Sequence, residues 1–133
     1  MTSRIATIVI DAHRPDVVAQ FWCDVLGWRI LDAEPEIVSI APSDASWPTI
    51  DIVAVPEPKA GKNRLHLDLR ADGTTTAHEL ARLLALGARR TDVGQGPDVS
   101  WVVLSDPEGN EFCLLSRSVQ EVAAEAATVA PLP

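Results

Sequence analysis

A chain of 133 residues suits one domain with a substantial buried core. Its 47% hydrophobic and 23% charged residues are ordinary for a soluble globular protein, and no apolar run approaches the ~20 residues that span a bilayer. The net charge of −8 argues against nucleic acid and anionic membranes as partners, because phosphate recognition needs clustered Lys and Arg.

The start, MTSRIATIVIDAHRP, mixes acidic and basic residues and has no secretory h-region, so a cytoplasmic location is expected. Arg4 to Ile10 is a β-branched run and reads as a strand. From Pro15 to Leu26 the apolar residues Val17, Val18, Phe21, Trp22, Val25 and Leu26 fall at helical spacing. Pro15 opens that helix and Gly27 closes it. Strands follow near 28–33, 36–41 and 49–55, with Pro42, Pro48, Pro56 and Pro58 in the bounding loops. A second series begins with the alternating strand NRLHLDLR (63–70), in which Leu65, Leu67 and Leu69 should pack inward and His66 and Asp68 face the other way. The helix TTTAHELARLLAL (74–86) ends at Gly87, and short strands are expected near 88–91, 99–104 and 110–115. The Ala-rich tail after Arg117 reads as either a short helix or a frayed end.

The two series match. Arg4 precedes Gly27, and Arg64 precedes Gly87, by the same 23 positions, so LGWR at 26–29 recurs 60 residues later as LGAR. A duplicated β-α-β-β-β unit is the simplest account.

The residues with chemistry are few. DPEGNEFCLL (106–115) opens as a turn, with Pro107 suited to the second position of a type I turn, and closes as a strand carrying Glu111 and Cys113 on one face. Cys23 and Cys113 have neither metal-type nor redox-type spacing, and in a reducing cytoplasm both are expected as thiols. Trp22 and Trp28 suit packing, and His13 and His78 suit the surface. Trp101, alternating with Val99 and Val103, and Trp47, in a Pro-rich loop, offer flat apolar surfaces to a ligand. DVGQGPD (92–98) lacks the Lys and following helix of a phosphate loop, and KAGKNR (59–64) is a small basic cluster suited to a linker or an anionic ligand.

The stretches FWCDVLGW (21–28), KNRLHLDL (62–69) and DPEGNEFCLL (106–115), with the repeat, resemble the vicinal oxygen chelate superfamily, which includes glyoxalase I, extradiol dioxygenases and bleomycin-resistance proteins. The last two stretches look most like its glyoxalase-like domain branch. The resemblance implies an α+β fold in which two β-α-β-β-β modules curl into a cup-shaped mixed sheet. It implies a single domain over 1–117, with modules at about 3–55 and 63–116, a linker at 56–62 and a tail at 118–133. A homodimer is expected by the same likeness.

Metal-using members take about four ligands, two per half. The resemblance places one at His66 and another at 113, where this chain has Cys113 instead of the usual Glu. Subtracting the repeat gives Ala6 and Val53, neither of which binds metal, so no cofactor is expected. A divalent metal on a rearranged set such as His66, Asp68 and Glu111 stays open. The expected function is binding of a small organic molecule in the pocket, by sequestration or with metal-independent acid/base chemistry; the alternative is a metal-dependent lyase, isomerase or dioxygenase. His66 and Glu111 are the catalytic candidates, and His66, Asp68, Trp101, Cys113, Asp51 and Trp47 the ligand-binding ones. For His66 the simpler reading is an imidazole held by Asp68, and for Glu111 a turn-stabilising carboxylate.

Overall fold

The computed structural model describes residues 1–46, 48–91 and 100–128. Five strands and a helix form the first series with the start of the second: β1 (Thr7–Ala12), α1 (Pro15–Leu26), β2 (Arg29–Glu34), β3 (Ile37–Ala41), β4 (Thr49–Ala54) and β5 (Leu67–Leu69). Then come α2 (Thr76–Leu86), β6 (Arg89–Arg90), β7 (Val102–Ser105), β8 (Glu111–Leu114) and α3 (Val119–Thr128). They make two four-stranded mixed sheets, ordered β1-β4-β3-β2 and β5-β8-β7-β6. The same strand order in both sheets is the duplication read from the sequence. Among the described residues no helix is long and apolar enough to cross a membrane.

The first unit comprises Met1–Gly61 together with Asp106–Gly109. β1 runs parallel to β4 with Ile8 opposite Ile50 and Ile10 opposite Ile52, while β3 lies antiparallel to β4. The even-numbered side of β1 joins buried Ile50, Ile52, Val38 and Ile40 beneath buried Val18, Phe21, Trp22 and Val25 of α1. Ladder formation begins at Thr7, three residues later than the β-branched run suggested. Its partner strand starts only at Thr49, after a proline that has no N–H to donate. α1 has the bounds its apolar spacing predicted, and Gly27 closes it at φ 68°, a conformation that disfavours a side chain.

The turn Asp106–Gly109 holds α1 in place. Gly109 N–H donates to the Asp106 carbonyl at 2.9 Å, and Gly109 has φ 89°. The Asp106 carboxylate, 2% exposed, accepts the Trp22 Nε1–H at 3.2 Å and the Glu108 N–H at 2.9 Å. Arg14, at the α1 N-cap, makes no side-chain capping bond. Glu108 does this from across the unit: its two carboxylate oxygens accept the N–H groups of His13 and Arg14. A carboxylate there also complements the positive end of the helix dipole.

The second unit runs from Lys62 to Ser105 and resumes at Asn110. β5 is far shorter than the alternation from Asn63 to Arg70 implied, because its parallel partner β8 begins only after the turn, with Leu67 opposite Phe112. Leu65 therefore lies outside the ladder and is 89% exposed, contrary to the inward packing expected of it. Thr75 Oγ1 caps α2 by accepting the His78 N–H at 3.1 Å. The tail forms a helix as far as Thr128: Ser118 and Glu121 exchange backbone-to-side-chain bonds at 3.1 and 3.2 Å, a capping box that starts α3 and was written in the sequence as SVQE. Gln120 then ties α3 to the loop before α2, bonding Gly73 N–H at 2.8 Å and Asp72 at 2.6 Å. The expected loop at 92–98, and Val99, lie outside the described residues.

Asp106→Ala leaves a buried indole N–H without its acceptor and should cost about 1–3 kcal/mol. Glu108→Ala removes the cap and should cost about 1 kcal/mol. Urea unfolding followed by Trp fluorescence measures both; wild-type midpoints in both variants would contradict this role for the turn.

Candidate functional site

The polar face of the second sheet brings three candidates together. Parallel pairing sets Asp68 beside Cys113, and alternation puts His66 on the same side as Asp68. His66 Nε2 lies 3.2 Å from Asp68 Oδ1, with the two side chains 44% and 49% exposed. The donor atoms of His66, Asp68 and Cys113 all lie within 4.8 Å of one another. Cys113 is only 6% exposed and sits between Asp68 and Val103 in the ladder. Neither cysteine is in a disulfide.

Burial, and then the Asp68 charge and hydrogen bond, push the Cys113 thiol above its ordinary pKa, with Lys62 pulling weakly the other way. A neutral thiol is a poor nucleophile, so the geometry opposes nucleophilic catalysis at Cys113. Cys23 is raised as well, by burial and then by Asp24.

The other candidates are placed differently. Glu111, on β8, spends one oxygen on the Asn63 N–H at 3.0 Å, the turn-stabilising role weighed for it, and is outside the three-residue group. The set His66, Asp68 and Glu111 is thus replaced, among the described residues, by His66, Asp68 and Cys113. Trp101 immediately precedes β7, is 38% exposed, and alternates onto the side of Val103, the neighbour of Cys113. Asp51 belongs to the first unit, where β4 sets it between Val9 and Ser39. Trp47 lies outside the described residues.

Sheet register corrects the repeat arithmetic for the first half. Ala6 has the parity of Ile8, Ile10 and Ala12, whose side faces α1, whereas His66 lies on the side away from Leu67 and Leu69. Gly27 follows the last residue of β1, Ala12, by 15 positions, and Gly87 follows the last residue of β5, Leu69, by 18. The extra three residues lie between strand and helix end, so the counterpart of His66 is Val9. Val53 remains the counterpart of Cys113, and its ladder partner Asp11 answers to Asp68. Val9 and Val53 have no donor atoms, so this chain does not carry the four-donor set implied for the metal-using relatives. Its own set of imidazole, carboxylate and thiol fits a divalent ion with an open position.

Two β-α-β-β-β units with the same strand order make up a glyoxalase-like fold. The Glyoxalase-like domain family matches residues 7–115, and the chain belongs to it. No protein among curated sequences matches. A glyoxalase/bleomycin resistance protein/dioxygenase family enzyme from Burkholderia phytofirmans PsJN has a similar structure, at 18% identity and TM-score 0.62, covering 84% of this chain and 97% of that one. The fosfomycin resistance protein FosX from Mesorhizobium loti gives 14% identity and TM-score 0.66, with 92% and 99% covered. A FosX mutant from Listeria monocytogenes, complexed with Mn(II) and 1S,2S-dihydroxypropylphosphonic acid, gives 12% and 0.67, also with 92% and 99% covered. At such identities the likeness establishes the fold.

Alkylation of Cys113 by iodoacetamide, followed by mass spectrometry, should be slow at neutral pH. Burial and the Asp68 charge raise the thiol pKa, which lowers the thiolate fraction available to react at neutral pH. Asp68→Asn removes the charge that opposes ionisation, so its profile should shift to lower pH. A shift to higher pH, or none, would contradict the coupling.

Proposed function

We propose that this glyoxalase-like protein binds a small organic molecule on the polar face of its second sheet, as a sequestration or resistance-type binder or with metal-independent acid/base chemistry. The convergence of His66 and Asp68 beside Cys113 carries the reading. Asp68 orients the imidazole, and an imidazole can anchor a ligand or exchange a proton with it near neutrality. Trp101 supplies a half-exposed flat surface on the same side. Glu111 acts indirectly, by holding the backbone of Asn63 three residues before His66. The protein is proposed to work in the cytoplasm as a homodimer, a state that would cover exposed Leu65.

A second reading has a specific observation behind it. Three potential donors within 4.8 Å suit a divalent-metal-dependent lyase, isomerase or dioxygenase with rearranged ligands. The chemistry such an ion would supply is polarisation of a bound oxygen, while Trp101 would orient the organic part.

A thermal-shift screen against a panel of small metabolites, with hits measured by calorimetry, tests the site. His66→Ala and Trp101→Ala should each weaken a hit by about tenfold, or roughly 1.4 kcal/mol. Unchanged affinity in both variants would remove the site from this face.

A further inference from the structure

We infer that His66, Asp68 and Cys113 form a thiolate-containing site that takes a thiophilic divalent cation, Zn²⁺ or Co²⁺ in preference to Mn²⁺ or Mg²⁺. The inference rests on the metal-dependent reading above and adds to it the identity of the donors and the class of ion. Asp68 and Cys113 stand opposite one another in the β5–β8 ladder of the second unit, and His66 immediately precedes β5. His66 and Asp68 are two residues apart on one side of the chain, and Cys113 is the register partner of Asp68. The first unit is not needed to complete the set.

Donor chemistry then selects the ion. A sulfur ligand favours zinc and its neighbours late in the first transition series, whereas manganese and magnesium favour oxygen donors. β8 carries the sulfur, and the carboxylate comes from Asp68 on the adjacent strand. Thiolate and carboxylate together cancel the charge of a dication, so the partly buried site would carry no net charge. Three protein ligands leave a tetrahedral ion one open position.

The geometry is close to what this requires. Donors around tetrahedral zinc stand about 3.5 Å apart. His66 and Asp68 are already 3.2 Å apart, and the widest separation in the group is at most 4.8 Å. Closing it needs a shift of about 1 Å. The half-exposed side chains of His66 and Asp68 can make that shift by rotation, while buried Cys113 stays fixed in the strand. Binding the ion would displace the thiol proton, as it does at other cysteine sites.

Full-length protein, reduced and stripped with chelator, is titrated with Co²⁺ and followed by absorbance and calorimetry. A near-ultraviolet thiolate-to-cobalt charge-transfer band should saturate at one equivalent and persist in Cys23→Ser. It should vanish in Cys113→Ser and in Cys113→Ala, the second variant guarding against a packing defect in the first. His66→Ala and Asp68→Asn should weaken Co²⁺ binding on the order of tenfold or more. Zn²⁺ should abolish the band, and excess Mn²⁺ should leave it. Binding without the band, a band that survives loss of Cys113, or displacement by Mn²⁺ would overturn the thiolate site while sparing a nitrogen/oxygen metal site. No calorimetric binding of Co²⁺ or Zn²⁺ would overturn both.

Discussion

The first unit depends on a carboxylate that sits far from it in sequence. Asp106 is buried, accepts the indole N–H of Trp22 in the middle of α1, and shapes the turn that delivers Glu108 to the start of that helix. An indole N–H buried without an acceptor carries a substantial desolvation cost. A helix that begins with proline and lacks a capping side chain at Arg14 needs its first donors satisfied from elsewhere. One four-residue turn answers both needs. Phe21 and Trp22, packed edge to face with ring centroids 5.3 Å apart, are then held against the sheet by a helix fixed at two points.

The same segment explains why the site is where it is. β8 starts at Glu111, two residues after the turn, and its parallel pairing with β5 decides which residues stand beside Cys113. That neighbour is Asp68, and Asp68 in turn contacts His66. The turn half of DPEGNEFC is therefore occupied with holding α1, and the strand half with composing a polar site. Two acids in this stretch are spent on backbone: Glu108 on α1 and Glu111 on Asn63.

Most of the architecture was legible because apolar spacing and Gly/Pro punctuation act locally. α1 was readable to the residue from Pro15 and Gly27, and α2 from its threonines and Gly87. The strand ends were not, since a strand extends only as far as its partner does, and neither Pro48 nor the turn before Glu111 advertises that limit to β1 or β5. His66 and Asp68 could be paired from alternation alone. The contact with Cys113 could not, because it depends on register between strands 45 residues apart. The three extra residues between β5 and Gly87 were also hidden. A shift by an odd number exchanges the two sides of a strand, so matching the halves at one fixed spacing compares opposite faces.

The position of the α1 cap also bears on how the chain is made. Proteins fold as they emerge, N-terminal segments first. Residues 1–61 emerge with the α1 helix uncapped by its own neighbours and with Trp22 lacking its Asp106 partner. Both wait until the chain through Gly109 has been synthesised. The N-terminal half is thus a repeat in pattern whose helix cap and indole acceptor are encoded in the second half. Separated from the second half by gene splitting or truncation, it would lose a part of itself that the second half encodes.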